Sequence, residues 1–314
     1  MIVTVTLNPS VDRTISISQL ERGSVNRADL IAVDPGGKGV NVSRALAAYG
    51  SETFALLVCG SIGSRWFNER LTELNVSHQI VLGNGSTRNN ITLVEGDGTV
   101  TKINEPGFEL SEAVISDIKT ALSELELKDA WVVFAGSLNP NADPLTYNKL
   151  AQYVGSLGAK VAIDTSGDEL RAAIEVGPDL IKPNQHELSE LVGRNLITID
   201  DIVVAAREVL DRGVGSIVCS LGADGALFVN HETVVHAEPA NPIAGVPVGA
   251  GDILLATFIA GGANADALPN AVAWSAASVL LEGTAIPTKA QAAGVTVNVN
   301  TSFDASRSLV EVSQ

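Results

Sequence analysis

Cysteine is nearly missing from this chain of 314 residues: Cys59 and Cys219 are the only two. Both lie in apolar runs, ALLVCG and SIVCSLG, and neither belongs to a CxxC pair. The four histidines form no HExxH or similar spacing. Disulfide and zinc frameworks are therefore ruled out as organising devices. Aromatic residues make up 4% of the chain, too few for an aromatic sandwich core. Positive charge is short as well, with 20 Lys and Arg against 36 Asp and Glu and a net charge of -16. That balance excludes non-specific binding to nucleic acid or anionic membranes. The longest apolar stretches contain Gly, Ser or Asn and fall short of a membrane span. The opening MIVTVTLNP has no basic stretch and no small-residue cleavage site, and reads as a strand rather than a signal peptide. A reducing cytoplasm is the expected location.

What the chain does have is 46% hydrophobic residues, enough for a substantial core of close helix-on-sheet packing. Short β-branched runs alternate with amphipathic segments. IVTVTL (2–7), FALLVCG (54–60), AWVVFAG (130–136), KVAIDTSG (160–167), DLIKPN (179–184) and SIVCSLG (216–222) read as strands. Helices are expected over 40–50, 65–74 and 144–158, from Asp168, and over 200–212. This alternation predicts right-handed βαβ units and a mostly parallel sheet covered on both faces. Residues 12–34 and 87–104 break the rhythm with alternating strands around the turn Gly96-Asp97-Gly98. They predict a small sheet inserted into a single α/β domain. One of its faces would cover a cleft and the other would pair with a second chain.

In open α/β sheets ligands sit beyond the carboxyl ends of the strands. Polar residues follow nearly every predicted strand: Asn8 and Asp12, Ser137, Asp164-Thr165-Ser166, Lys182-Pro183-Asn184, and Ser220. A shared cleft at that rim is the natural reading. DPGGKGVN (34–41) places Lys38 in a glycine loop at the mouth of a helix, a site for phosphate or another anion. Its spacing is neither a Walker A loop nor GxGxxG after the first strand, which leaves a nicotinamide dehydrogenase little support. Taken alone, Lys38 and Arg88 also read as solvated surface cations. Asn184 and Glu187 also read as a helix cap. VPVGAGDILLATF (246–258) carries the sharpest signal. Gly249, Ala250 and Gly251 would leave amides bare at a helix N-terminus, forming an anion hole. Asp252 is then either a cap or a general base for phosphoryl transfer.

Eight motifs in order resemble a known family along nearly the whole chain. They are TLNPSVDRT (6–14), PGGKGVNVSRALA (35–47), STRNN (86–90), NEPG (104–107), AGSLNP (135–140), KPNQHEL (182–188), SLGADGA (220–226) and VGAGD (248–252). The family is the PfkB-type (ribokinase-like) carbohydrate kinases. The TLNP start, Lys38 and the TRxN and NEPG segments are most similar to its 1-phosphofructokinase and tagatose-6-phosphate kinase branch. The resemblance implies a ribokinase-like three-layer α/β sandwich with a small β-sheet lid, ATP and Mg2+ as cofactors, and a homodimer formed through the lid. It implies Asp252 as catalytic base and Gly249, Ala250 and Gly251 as anion hole. Asp12, Gly37 and Asn41 would hold the sugar, and Lys38, Arg88 and Ser137 its phosphate, with Asn90 nearby. Lys182 and Asn184 would face the ATP phosphates, Glu187 would organise Mg2+ through water, and Ser220, Gly222 and Gly225 would line the nucleotide. Arg27, on the lid, would reach a neighbouring copy's site. Fructose 1-phosphate is the expected substrate, because related 6-phosphofructokinases of this fold commonly have glycine where Lys38 stands. Tagatose 6-phosphate and fructose 6-phosphate are the alternatives within the family.

Three departures stand out. Pro247 and Ile253 flank VGAGD where the family has Thr and Ser, and Asn139 and Asn141 replace Pro and Gly after Ser137. The first two motivate a second reading, a non-catalytic sugar-phosphate sensor on the same fold.

Overall fold

The computed structural model describes residues 1–243, 245, 248–281, 283–301 and 306–309. Pro247 lies outside them. The chain opens with β1 (Ile2–Thr6), β2 (Ser10–Ile17) and β3 (Asp29–Gly36), followed by α1 (Lys38–Tyr49). Next come β4 (Thr53–Ile62), α2 (Ser64–Glu73), β5 (Ser77–Ser86), β6 (Arg88–Glu95) and β7 (Val100–Asn104). The middle contains α3 (Glu112–Ser123), β8 (Trp131–Ala135), α4 (Thr146–Ser156), β9 (Lys160–Asp164), α5 (Gly167–Ala173) and β10 (Leu180–Ile181). Then follow α6 (Gln185–Val192), α7 (Ile199–Leu210), β11 (Ile217–Ser220), β12 (Ala226–Val229) and β13 (Val234–Pro239). The last elements are α8 (Ala250–Ala260), α9 (Leu268–Ser278), α10 (Lys289–Ala293) and β14 (Val297–Asn300).

Among the described residues the large sheet runs β14-β13-β12-β11-β10-β9-β8-β1-β4-β5. From β11 to β5 every neighbour is parallel. β12, β13 and β14 add an antiparallel edge that the strand–helix alternation did not predict. Both faces are covered, so central strands are apolar throughout rather than alternating. On β8, Val132 and Phe134 enter one core with Ile118 and Leu150, while Val133 and Ala135 enter the other with Leu46, Phe258 and Trp274. Thr4 is fully buried in this sheet, and its hydroxyl is satisfied by Ser43 on α1 at 2.8 Å.

The second sheet has the order β3-β2-β6-β7 and matches the predicted insertion. The DG turn closes as expected, with Glu95 N donating to Thr99 O at 2.9 Å. β2 pairs in parallel with β6, which aligns Asp12 with Asn90 and Arg13 with Ile91. The period of two then sorts the sheet. Asp12 and Asn90 share a polar face, while Ile15, Ile91, Leu93 and Ile103 share the opposite one. α1 starts two residues earlier than its apolar pattern suggests. Gly37, at φ 107°, is its cap residue, and this puts Lys38 in the first turn.

Candidate active site

The glycine turn of residues 249–251 forms a helix start. Gly249 adopts φ 75°, ψ 0°, the left-handed conformation that glycine enters without strain, and it is the cap residue of α8. No side chain caps this end. The first amides of a helix have no i−4 partner and carry its positive dipole end, and here Asp252 N turns back to Gly249 O at 3.0 Å. Asp252 stands inside the first turn, not at the cap position, so the cap alternative is set aside. Its carboxylate instead accepts a 2.8 Å hydrogen bond from Asn41 Nδ2 on α1. Burial pushes the Asp252 carboxyl up to about 6, and the negative charge of Asp164 adds to the effect. Lys38, Asn41 and Lys182 pull the other way. The group is thus mostly ionised at neutral pH, yet it holds a proton far better than a solvated carboxylate.

Asp164 is the centre of the charges around it. It ends β9 and is fully buried. Lys38 Nζ reaches its Oδ1 at 2.8 Å and Lys182 Nζ its Oδ2 at 3.2 Å. Burial alone would raise the Asp164 carboxyl, but Lys182 and Lys38 outweigh that and hold it below the usual carboxylate range. Lys38 also lies 3.7 Å from Glu187 Oε1. Burial works against the Lys38 ammonium, and Asp164, Glu187 and Asp252 more than compensate. Lys182 is buried, and a Cβ on Gly251 would sit 3.3 Å from its Nζ. Its ammonium therefore lies against the glycine turn. The sequence marked Asp164 only as one polar strand end among several. That the two lysines share it is a tertiary fact.

The predicted sugar residues meet at the root of the small sheet. Asp12 Oδ1 accepts from Ser10 Oγ at 2.6 Å and from Asn90 Nδ2 at 3.1 Å. Burial raises its pKa despite these bonds and the Arg88 charge. A side chain on Gly36 would overlap the Asp12 carboxyl and displace it. Arg88 begins β6 and donates to Glu105 O at 3.3 Å. Ser137 is exposed and follows Gly136, which packs on the Lys38 backbone. The Gly136 carbonyl accepts from both Tyr147 Oη and Thr165 Oγ1, each at 3.0 Å. Burial pushes the Tyr147 phenol up, and the Lys38 and Arg88 charges oppose it.

The departures after Ser137 have structural reasons. Asn141 adopts φ 57°, the left-handed region that asparagine tolerates better than most residues, and so stands in for glycine. Its Nδ2 donates to Glu109 Oε1 at 2.8 Å, and Asn139 Nδ2 donates to Phe108 O at 3.1 Å. Asn8 joins the same two segments through Pro106 O and Leu138 O. The loop is therefore tied to the segment returning from β7. Ile253 is 1% exposed and packs in the helix–sheet core.

On the opposite side, Asn184 caps α6 in a capping box. Its Oδ1 accepts from Glu187 N, and Glu187 Oε2 accepts from Asn184 N, both at 2.8 Å. The cap reading holds for this pair, while the other Glu187 oxygen turns toward Lys38. Ser220 ends β11 and bridges Asn184. Gly222 opens a short 3-10 turn to Asp224, and a side chain on Gly225 would overlap the Ala237 carbonyl of β13. Arg307 was not foreseen at all. It fastens this turn to the sheet edge through Asp224 Oδ1 at 2.8 Å and Glu238 Oε2 at 2.7 Å. Among the described residues no group of three His, Cys, Asp or Glu could hold a metal ion. No helix among them is long and apolar enough to cross a membrane.

A bare helix N-terminus, a buried carboxylate of raised pKa and two converging lysines equip a phosphotransferase that acts on a hydroxyl. The comparisons with known proteins agree. The chain belongs to the PfkB family: the profile of the pfkB family carbohydrate kinases matches residues 5–291. A 1-phosphofructokinase of Vibrio cholerae is 36% identical, covering 81% of this chain and 80% of the relative. A 1-phosphofructokinase of Bacillus subtilis is 34% identical over 83% of this chain and 85% of its own. The crystal structure of phosphofructokinase-2 from Escherichia coli in complex with fructose-6-phosphate superposes with a TM-score of 0.87 at 29% identity. It covers 94% of this chain and 97% of that one.

Proposed function

We propose that this chain is an ATP-dependent kinase that converts fructose 1-phosphate to fructose 1,6-bisphosphate. The observation that carries the reading is Asp252: buried, held by Asn41 and set in the first turn of an uncapped helix. In the proposed reaction Asp252 accepts the proton of the sugar C6 hydroxyl, and that oxygen attacks the γ-phosphorus in line. The bond to the β,γ-bridging oxygen breaks, and ADP leaves. The first-turn amides of α8 and the Lys182 ammonium stabilise the charge on the transferring group. Asp12, Gly37 and Asn41 orient the sugar. Asn184, Ser220, Gly222 and Gly225 border the nucleotide.

Mg2+ usually keeps several waters and is held by one or two carboxylates plus substrate phosphates. Glu187, with one oxygen free of its capping box, fits that mode through water. When bound, the ion would neutralise phosphate charge.

Lys38 and the relatives' names favour fructose 1-phosphate over fructose 6-phosphate. Lys38→Ala and Arg88→Ala are expected to raise the KM for sugar phosphate about tenfold or more, with the KM for ATP little changed, as for any charged hydrogen bond to phosphate. An unchanged sugar KM in both variants would remove the phosphate-site reading. A coupled ADP-release assay comparing fructose 1-phosphate, tagatose 6-phosphate and fructose 6-phosphate tests the substrate. Saturable turnover with any of them excludes a non-catalytic sensor.

The apolar face of the lid supports a homodimer. Leu30 and Ile103 are each 55% exposed there, an arrangement that suits a second copy of the same sheet. Ile103→Asp is expected to give monomers in sedimentation at micromolar concentration without a lower Tm. A native chain that already sediments as a monomer would end this reading. Arg27, exposed on the segment between β2 and β3, is the residue assigned a role across that dimer.

A further inference from the structure

Arg44 lies on α1 one turn beyond Asn41 and joins its own helix to two other segments. Its Nη1, with two hydrogens to share, lies within hydrogen-bond distance of Pro35 O at 3.4 Å, Asn41 Oδ1 at 3.4 Å and Thr284 Oγ1 at 3.2 Å. Pro35 belongs to the root of β3, and Thr284 to the loop between α9 and α10. The side chain is half-buried, in the field of Asp34 and Asp12 on the facing strands of the small sheet.

Asn41 is the amide that contacts Asp252, and an amide has one accepting side and one donating side. A guanidinium against Oδ1 favours the orientation in which Nδ2 faces the Asp252 carboxylate. Rotation of that amide by half a turn would bring a carbonyl oxygen against the carboxylate, an arrangement only a protonated Asp252 tolerates. The same guanidinium grips the strand that carries the lid. We propose that Arg44 is a positioning residue: it fixes the Asn41 amide with its donor toward Asp252 and ties that orientation to the root of the lid.

This inference rests on Asp252 being the base, and the experiment separates the two. The charged groups facing Asp252 are Asp164 from the end of β9, Lys38 from α1 and Lys182 from beyond β10. From α9, the uncharged Ser275 Oγ donates to Ala250 O at 2.9 Å. None of them is a hydrogen-bond partner of Arg44. The pH dependence of kcat is measured for wild type, Arg44→Met, Asn41→Ala and the double variant. Arg44→Met should lower kcat about tenfold and move the acid limb upward by roughly one pH unit, the loss of one hydrogen bond to a charged group. The KM for ATP should not change. Asn41→Ala should move the limb the same way, and the double variant no further. Arg44→Lys, which keeps one donor, should recover part of the shift. If Arg44→Met does not fold, Arg44→Leu, which also lacks a donor, carries the same readout. A limb that stays in place while kcat or Tm falls overturns the proposal, as does a double variant whose shifts add. If Asp252→Asn retains turnover, the base reading fails first.

Discussion

Asp252→Asn is expected to lower kcat by about 10³-fold, within the range contributed by a positioned general base, with the KM values for sugar phosphate and ATP nearly unchanged. The substitution keeps the shape and one acceptor oxygen for Asn41 Nδ2, but removes the lone pair that takes the proton. In the wild type, kcat should fall on the acid side of about pH 6, where Asp252 becomes protonated. That limb should vanish in the variant. The stability change has the opposite sign. A carboxyl whose folded pKa is raised binds its proton more tightly folded than unfolded, so it costs stability progressively as pH rises from the ordinary carboxylate pKa and in full above the folded value. Asp252→Asn should therefore be more stable than wild type above pH 6 by thermal unfolding, a trade of stability for function. Turnover near the wild-type value would remove Asp252 as base.

Asp164→Asn is the second large effect. The wild-type carboxylate is fully buried between Lys38 and Lys182. Removing its charge leaves two ammonium groups without their shared partner, which costs about 3–5 kcal/mol when a buried pair is broken. Because its folded pKa lies below the usual range, the Asp164 contribution is full above the ordinary carboxylate pKa and fades as pH falls through the folded value. The destabilisation should thus be large at pH 7 in urea titrations and shrink toward strongly acid pH. The same variant should shift the acid limb of kcat below pH 6. A negative neighbour of Asp252 has gone, and the pull of the two lysines is unopposed. Equal stability at pH 7 together with an unmoved limb would show that Asp164 does not organise the site.

Much of the site was legible because phosphate chemistry leaves local marks. Glycines at a helix start, a lysine in a glycine loop and polar residues after strands are short-range patterns, and they single out Asp252, Lys38, Lys182, Asp12 and Asn184 as candidates. The small sheet was legible from period two and a DG turn. The antiparallel edge β12–β14 was not, because an apolar run such as ALFV does not record its partner or direction. Arg44 and Arg307 were missed for a related reason. Neither sits in a glycine loop or at a strand end, and their partners lie up to 240 and 83 residues away.

The sequence by itself determined the alternation of strands and helices, the inserted sheet, the bare helix start at Gly249 and the acid that follows it. Those features depend on backbone conformation and side-chain period within a few residues. Only the tertiary structure decided what Asp252 experiences: burial, the Asn41 amide at 2.8 Å and the charge of Asp164. It likewise decided that Lys38 and Lys182 share one carboxylate. Proton affinity and ion pairing are set by distance and burial in space, and residues 88 and 211 positions apart meet only once the sheet is assembled.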